Sequence, residues 1–415
     1  MSEKGRIVQI NPVLRTSTST GRIMQEIGAL AEHEGWHNWC AYGKGRDGIR
    51  PCTTDVIPVG DKWSTALHGL LTRAFDRHGL GSAAATRAFV ARLREIDPDI
   101  IHIHNIHGYF LNYPVFFEYL RNSRVKVIWT VHDCWLYTGH CYYYSAIGCD
   151  RWKSGCGRCP QRGAFPRSVL IDRSRQNFID KRACFTSIPR DRMVIVPVSQ
   201  WMRDEMSHSF FSEYPFQVIH NGIDTTVFRP CGDDTEVRRR LGIAAGRKII
   251  LGLASIWSAE KGLDDFIRLA GMLRPDETIV MVGVDPQTAR SLPASVKWLR
   301  RTENIDMLAQ LYSAASAFVN PTYQDNYPTV NLEAIACGTP VVTYCTGGSV
   351  ESVTPATGRI VAQGDVSGLL DAVREIEDLG KGAFAEPCRS HALSNFRKED
   401  RYHDYLRLYD SLLNR

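Results

Sequence analysis

Asn320-Pro-Thr-Tyr-Gln-Asp-Asn-Tyr-Pro-Thr-Val-Asn-Leu-Glu-Ala-Ile-Ala-Cys-Gly-Thr-Pro-Val-Val342 is the most informative stretch of the chain. It reads as the end of a strand, a loop, a short helix and the start of the next strand, which is the repeating unit of a parallel α/β sheet. In such sheets ligands bind where loops leave the carboxyl ends of the strands, so the polar residues of this loop are the first candidates for a site. Asp325 in the loop and Glu333 on the helix can both face one crevice, where carboxylates would accept hydrogen bonds from sugar and ribose hydroxyls. Taken in isolation, two such acids are more simply read as a helix-start acid and a solvated glutamate.

Outward from this stretch, short β-branched runs bounded by turns recur between longer helical patterns. A first set comprises Ile7–Ile10, Asp99–His104, Val125–Val131, Met193–Val198 and Phe216–His220; a second comprises Ile249–Ala254, Thr278–Val282, Val296–Leu299, Ala317–Asn320 and Val341–Tyr344. Gly262–Leu273 and Asn304–Ala315 carry apolar residues at the spacing of helices packed on a sheet. Between the sets lies the turn-rich segment Asn221–Asp234, which leads to a helix at Glu236–Leu241. Two α/β domains are therefore expected, divided at 228/229, and a length of 415 residues suits two cores better than one.

With 44% hydrophobic and 23% charged residues, the composition is that of a chain folded throughout. The net charge of +5 is modest and Lys and Arg do not gather into a run, so no nucleic-acid footprint is present, while an anionic phosphate ligand fits. Met1–Arg6 leads directly into the short apolar run Ile7–Ile10 without a signal-peptide segment, and no stretch has the ~18–20 apolar residues of a membrane span. A cytoplasmic protein is expected. Most of the twelve cysteines are then read as reduced and buried, with metal ligation the competing reading and disulfides the least expected.

The opening stretch resembles the E-x7-E motif of the family-4 retaining glycosyltransferases, including its Leu-Glu-Ala-Ile-Ala-Cys-Gly-Thr-Pro-Val-Val continuation. Other features agree in order. His220-Asn-Gly-Ile-Asp224, followed by Phe228 and Pro230, resembles the family's linker signature; Glu260-Lys-Gly262 resembles its Glu-Lys-Gly after the first strand of the second domain; Thr346-Gly-Gly-Ser-Val-Glu351 resembles its later glycine loop. Ser17-Thr-Ser-Thr-Gly-Arg22 and Trp129-Thr-Val-His-Asp133, with the cysteines that follow, look like the branch that builds capsular, O-antigen and colanic-acid-type polysaccharides.

The resemblance implies a GT-B fold of two Rossmann-like domains facing across a cleft. Residues 1–228 would form the acceptor side, 229–393 the nucleotide-sugar side, and 394–415 would hold a helix returning to the first domain. The implied activity is transfer of a sugar, with retention at the anomeric carbon, from a nucleotide diphosphate-sugar donor to a glycan acceptor. In this branch the acceptor is lipid-linked, which implies loose attachment to the inner face of the cytoplasmic membrane. The implied chemistry is front-face attack that requires no metal or other cofactor. A sugar epimerase or glycan phosphorylase on the same fold and a nucleotide-sugar sensor without turnover stay as alternatives, the last because of two departures from the family pattern. The first acid of the motif is Asp325, one methylene shorter than glutamate, and the arginine of the family's diphosphate-holding Arg–Lys pair aligns with Ile256. Lys261 then acts alone or with Arg22, Arg300 or Arg301.

A leaving nucleoside diphosphate develops negative charge, which a lysine, loop N–H groups and helix N-termini stabilise. Lys261 is the expected point charge, and Gly21 and the Gly347-Gly348 pair are expected to permit close backbone approach to phosphates. Arg22, Asn326, Tyr327, Pro328, Thr329 and Glu333 complete the expected donor site, with Asp325 and Lys261 both expected to be catalytic groups. His132, at the carboxyl end of Val125–Val131, matches a family histidine that contacts the donor sugar near the reacting carbon, and Asp133 is placed to fix its tautomer. His102 and His104, with His107 after them, read more easily as core hydrogen-bonding groups than as a metal site. Cys141, Cys149, Cys156 and Cys159 cluster in a loop-rich stretch ending in Cys-x2-Cys-Pro, a pattern that suits a structural zinc. Arg73, Arg77, Arg87, Arg92 and Arg94 surround an amphipathic stretch, read either as a solvated face or as a contact with anionic lipid.

Overall fold

A computed structural model describes residues 4–45 and 55–414; part of the Met1–Arg6 reading therefore lies outside the described residues. Compactness divides the chain into two units, Met1–Ile219 with Tyr402–Arg415, and His220–Arg401. The first division falls at the start of the Asn-Gly-Ile-Asp segment rather than at 228/229. The second falls inside the last helix rather than at 394.

The first unit holds a parallel sheet of β1 (Gly5–Val13), β2 (Trp36–Lys44), β3 (Asp55–Pro58), β4 (Ile100–Ile103), β5 (Lys126–Val131) and β6 (Met193–Pro197), in the order β3-β2-β1-β4-β5-β6. Because side chains alternate across a strand, β1 sends Val8 and Ile10 into one apolar cluster and Ile7 into another. The second cluster is closed by the last helix, Lys398–Leu413, through Tyr402, Tyr405, Leu406, Leu408, Tyr409 and Leu412. The stripe of aromatic and leucine side chains on the returning segment is thus packing. Its helix starts later than 394 because Ser394 and Asn395 still belong to the preceding helix, Gly382–Asn395.

The second unit holds β7 (Lys248–Leu253), β8 (Glu277–Val282), β9 (Lys297–Leu299), β10 (Ala317–Asn320), β11 (Val341–Tyr344) and β12 (Gly358–Val361), also parallel, in the order β12-β11-β10-β7-β8-β9. Counted from each unit's own first strand, the two orders are the same. In each sheet the chain builds outward in one direction, then returns to the far side of its first strand. The reversal points lie between β1 and β4 and between β7 and β10, and ligands of open α/β sheets bind at such points.

Three strands were not expected: β2, β3 and β12. Conversely, Phe216–His220 forms no regular strand. It lies beside β6, with Ile195 N–H donating to Pro215 O and Gln217 N–H to Ile195 O, but only Ile195 and Phe216 make a bridge. Pro197 accepts from Ile219 N–H at 3.1 Å but has no N–H of its own to give, so no second bridge forms.

Candidate active site

In the second unit, loops from the carboxyl ends of three neighbouring strands meet. The loop after β7 runs through a single 3-10 turn, Ala259–Lys261, and Gly262 joins it to the helix Leu263–Ala270. Gly262 has φ +74, and a Cβ there would lie 2.4 Å from the Pro321 carbonyl oxygen, so only glycine lets this loop pass the one after β10. The two loops are then tied: Tyr323 N–H donates to Glu260 O at 2.8 Å, and Lys261 Nζ reaches Asp325 Oδ2 at 2.7 Å, with Thr322 Oγ1 and Gln324 O each at 3.5 Å. The third loop, after β11, carries Gly347 and Gly348, and the Gly348 N–H donates to Asp325 O at 3.2 Å. Lys261, Asp325, Gly347 and Gly348 are therefore brought together at the β7/β10 reversal point.

Asn326 and Tyr327 are buried. The Tyr327 ring stacks on His220 at 4.6 Å, and His220 Nε2 pairs with Glu351 at 3.1 Å. Pro328 precedes and Thr329 begins the helix Thr329–Ala336, on which Glu333 is buried and accepts from Tyr312 O–H at 3.1 Å. Asn331, which the sequence reading passed over, is the hub behind the loops: its Oδ1 accepts from Asn320, and its Nδ2 reaches Ser349 Oγ at 3.1 Å and Ser352 Oγ at 3.3 Å. A buried polar side chain in a helix must find such partners, so an asparagine amid the apolar Val330 and Leu332 was the available signal. Ile256, where the family has arginine, is 72% exposed. Arg300 and Arg301 follow β9, an edge strand two places from the reversal point, and Arg22 stands in the first turn of the helix Ser19–His33 in the first unit.

Two expected roles are corrected in the first unit, those of Gly21 and Asp133. Gly21 was expected to let a phosphate approach the backbone, but the space a Cβ would take is occupied by Arg15 O at 2.6 Å and Val13 O at 2.8 Å. Its smallness serves the packing of the chain's own turn.

His132 follows β5, and its Nε2 lies 3.2 Å from His104 Nδ1. Gln9 orders the protons. Its Nε2 donates to Met24 O and Asn38 Oδ1, so its Oε1 accepts from His104 Nε2–H at 2.9 Å, and His104 Nδ1 is left to accept from His132. Burial drives the His132 pKa down to about 4 and holds His104 well below its usual value, so this row is neutral at pH 7. Asp133 does not fix the His132 tautomer, as had been expected. Its Oδ2 binds His107 Nε2 at 2.7 Å and its Oδ1 accepts from Trp135 N–H at 2.9 Å, while Tyr142 O–H donates to His107 Nδ1 at 3.1 Å. His102 bonds Tyr409 and Thr130 in the core, as expected.

Cys141, Cys149, Cys156 and Cys159 line one small cavity together with His140 and Trp152. All four are free thiols. Cys141 donates to Cys159, drawing the Cys159 pKa down to about 7, and burial pushes Cys156 up to about 11. Among the described residues, no group of three or more His, Cys, Asp or Glu side chains stands ready-made as a metal ligand set. Nor is any helix among them long and apolar enough to cross a membrane.

Residues 55–227 match the family described as Glycosyltransferase Family 4 and residues 247–378 that described as Glycosyl transferases group 1, well over half of the chain together. The chain is 25% identical, over 95% of each protein, to WcaC of Escherichia coli (strain K12), which is named as a colanic acid biosynthesis glycosyl transferase. It is 30% identical, over 48% of this chain and 57% of the relative, to the GDP-mannose-dependent monoacylated alpha-(1-6)-phosphatidylinositol monomannoside mannosyltransferase of Corynebacterium glutamicum. Two solved structures share the fold: sucrose-phosphate synthase from Thermosynechococcus elongatus (TM-score 0.72, 18% identity, 99% of this chain and 100% of that one) and HepE of Anabaena in complex with UDP and glucose (TM-score 0.69, 16% identity, 98% and 100%). With the strand orders and the three converging loops, these matches place the chain in the family-4 glycosyltransferases of GT-B fold, where it resembles the enzymes of colanic-acid biosynthesis.

Proposed function

We propose that the chain transfers a sugar, with retention at the anomeric carbon, from a nucleotide diphosphate-sugar to a lipid-linked glycan in the building of a surface polysaccharide, at the cytoplasmic face of the membrane. The observation that carries this reading is the Lys261–Asp325 pair at the β7/β10 reversal point, beside the glycine loop after β11. A diphosphate there would find a cation and glycine backbone, the two things that stabilise its growing charge. The bond from the anomeric carbon to the diphosphate oxygen breaks with its electron pair going to that oxygen. The acceptor hydroxyl forms its bond on the same face and gives its proton to the departing phosphate. Lys261 would offset the charge, Glu333 would hold ribose hydroxyls, and neutral His132 would hydrogen-bond the donor sugar. No protein nucleophile or metal enters this scheme.

The names of the relatives support the substrate classes: one holds UDP and glucose, one is GDP-mannose-dependent with an acylated acceptor, and one is named for colanic acid. Membrane contact is supported by an apolar strip rather than by the arginines alone. The helix Lys62–Phe75 exposes Trp63 (84%), Leu67 (58%) and Leu70 (63%), which share one helical face. Exposed Val169, Leu170 and Ile171 extend the strip, with Val169 N–H bonded to Arg73 O at 2.7 Å. Arg73 and Arg77 flank it, whereas Arg87, Arg92 and Arg94 belong to the separate helix Ala83–Ile96. An exposed apolar strip edged by cations suits an anionic bilayer surface.

The test is to incubate the purified protein with radiolabelled UDP- and GDP-sugars, with and without a lipid-linked acceptor. Label moving to the acceptor supports the proposal; an epimerised donor, phosphate-dependent glycan cleavage, or donor bound without turnover replaces it with a rival. Co-sedimentation with anionic vesicles that is lost when Trp63, Leu67 and Leu70 are changed to serine supports the membrane clause. Failure to sediment even at low salt removes it.

A further inference from the structure

We infer that Cys141, Cys149, Cys156 and Cys159 hold one zinc ion as thiolates, and that this structural site organises the loop-rich segment between β5 and β6. Between Val131 and Met193 the chain has no strand and a single helix longer than four residues, Ser174–Phe185. Loops of that length in compact domains need an organiser of their own. The four cysteines face one cavity whose free volume, ≈ 20 Å³, has room for about one water-sized guest and none for a sugar. Cys156-Gly-Arg-Cys159 turns sharply there, with Arg158 held at φ 49, a conformation unusual for arginine. The Gly139 N–H already donates to Cys156 Sγ at 3.1 Å.

Three further buried groups beside the cavity have polar atoms or charge for which a bound metal–thiolate cluster would supply a partner. His140 is fully buried, its Nδ1 is bonded to the equally buried Asp76 at 2.7 Å, and its Nε2 has no partner. With Nδ1–H held by the carboxylate, His140 presents Nε2 as a lone pair, the orientation that a carboxylate gives to a histidine beside a metal. Trp152 lines the same cavity with its indole N–H also unpartnered. Lys181 is buried nearby, its ammonium bonded to the Trp135 and Thr138 carbonyl oxygens at 2.6 and 3.0 Å, and it makes no ion pair among the described residues. Zinc bound by four thiolates carries two net negative charges, which would give the lysine its counter-charge and the Trp152 N–H its acceptor. The thiols are not disposed as ligands in this structure, so binding would require the four side chains to reorient round the ion. Its effect would reach the histidines, because Tyr142 directly follows Cys141 and its O–H holds His107 Nδ1 at 3.1 Å.

The inference stands apart from the reaction proposed above, and so does its test. The intact chain, purified without chelator, should carry about one equivalent of zinc. After replacement by cobalt it should show thiolate-to-cobalt absorption with tetrahedral d–d bands. Under about one-fifth of an equivalent of zinc, together with no cobalt–thiolate absorption by the reduced chain, overturns the inference. Iron in place of zinc, or disulfides among these four cysteines on thiol titration, does the same. The double variant Cys156→Ser/Cys159→Ser should lose the metal, while Cys184→Ser, outside the cavity, keeps it; zinc retained in the double variant also overturns the site. The cobalt spectrum of the unsubstituted chain gives its answer whether or not the variants fold.

Discussion

The two sheets share one strand order, yet their reversal points are furnished differently. In the second unit the loops after β7 and β10 meet through a full charge pair, Lys261 and Asp325, partly open to solvent. In the first, the corresponding region is a row of neutral hydrogen-bonding groups, Gln9, His104 and His132, sunk in the sheet. The fold supplies the place and the loops supply the chemistry. A formal cation suits a phosphate, whereas neutral imidazoles suit hydroxyl groups without pulling anions toward them.

The largest effect expected from this contrast is in Lys261→Ala, which should lower kcat at saturating donor by about 100-fold or more, the usual loss from one such contact. Donor KM should change less, since the charge that lysine meets grows as the glycosidic bond breaks. A near-normal kcat would show that the diphosphate lies elsewhere. Glu333→Gln should act in the opposite sense, raising donor KM by about tenfold with a smaller loss in kcat. If His132→Ala raised donor KM as much as Glu333→Gln does, the division between a charged and a neutral reversal point would fail.

Two smaller effects concern stability. Tyr409→Phe leaves the buried His102 Nδ1 without its partner and should cost about 1–3 kcal/mol in denaturant unfolding; no measurable loss would mean that this hydrogen bond does not help to hold the returning helix. Acid should weaken the first unit before the second. Burial draws His68 and His132 down to about 4 and His102 to about 3, while an unfolded histidine takes up its proton near 6.5. The unfolded state thus binds more protons between those values, so stability is full above pH 6.5 and falls as the pH drops toward 4. Among the described histidines of the second unit only His391 is lowered. Hydrogen exchange followed from pH 7 to 5 should show amides of β4 and β5 losing protection ahead of those of β7 and β10. The reverse order would contradict the assignment.

The second sheet was more legible than the first because its strands are runs of β-branched residues such as Lys248–Leu253 and Glu277–Val282. By contrast, β2 is Trp-His-Asn-Trp-Cys-Ala-Tyr-Gly-Lys, has no β-branched residue, and is a strand because its neighbours bury it. Short β12 lies at an edge and carries little pattern at all. Lys261, Asp325 and the glycine pair were singled out because each lies in a family-like motif at a strand's carboxyl end, whereas the return of the chain from β9 to the far side of β7, which brings them together, is a matter of topology. Gly21 and Asp133 were misread for a shared reason: residue type and position along a strand do not reveal which neighbour from elsewhere reaches the group first. Asp133 met His107, and the open side of Gly21 met its own turn.

The helix that closes the first unit has a consequence for how the protein is made. Its Tyr409 meets His102 across 307 residues of sequence. At roughly 5–20 residues per second on the ribosome, His102 waits about 15 to 60 s for that partner. Until residues 402–413 are synthesised, the face formed by Ile7, Ile100, Ile128 and Val194 has no cover from this helix. The half of the protein translated first is therefore completed last, and during that interval its nascent chain offers an apolar surface to chaperones.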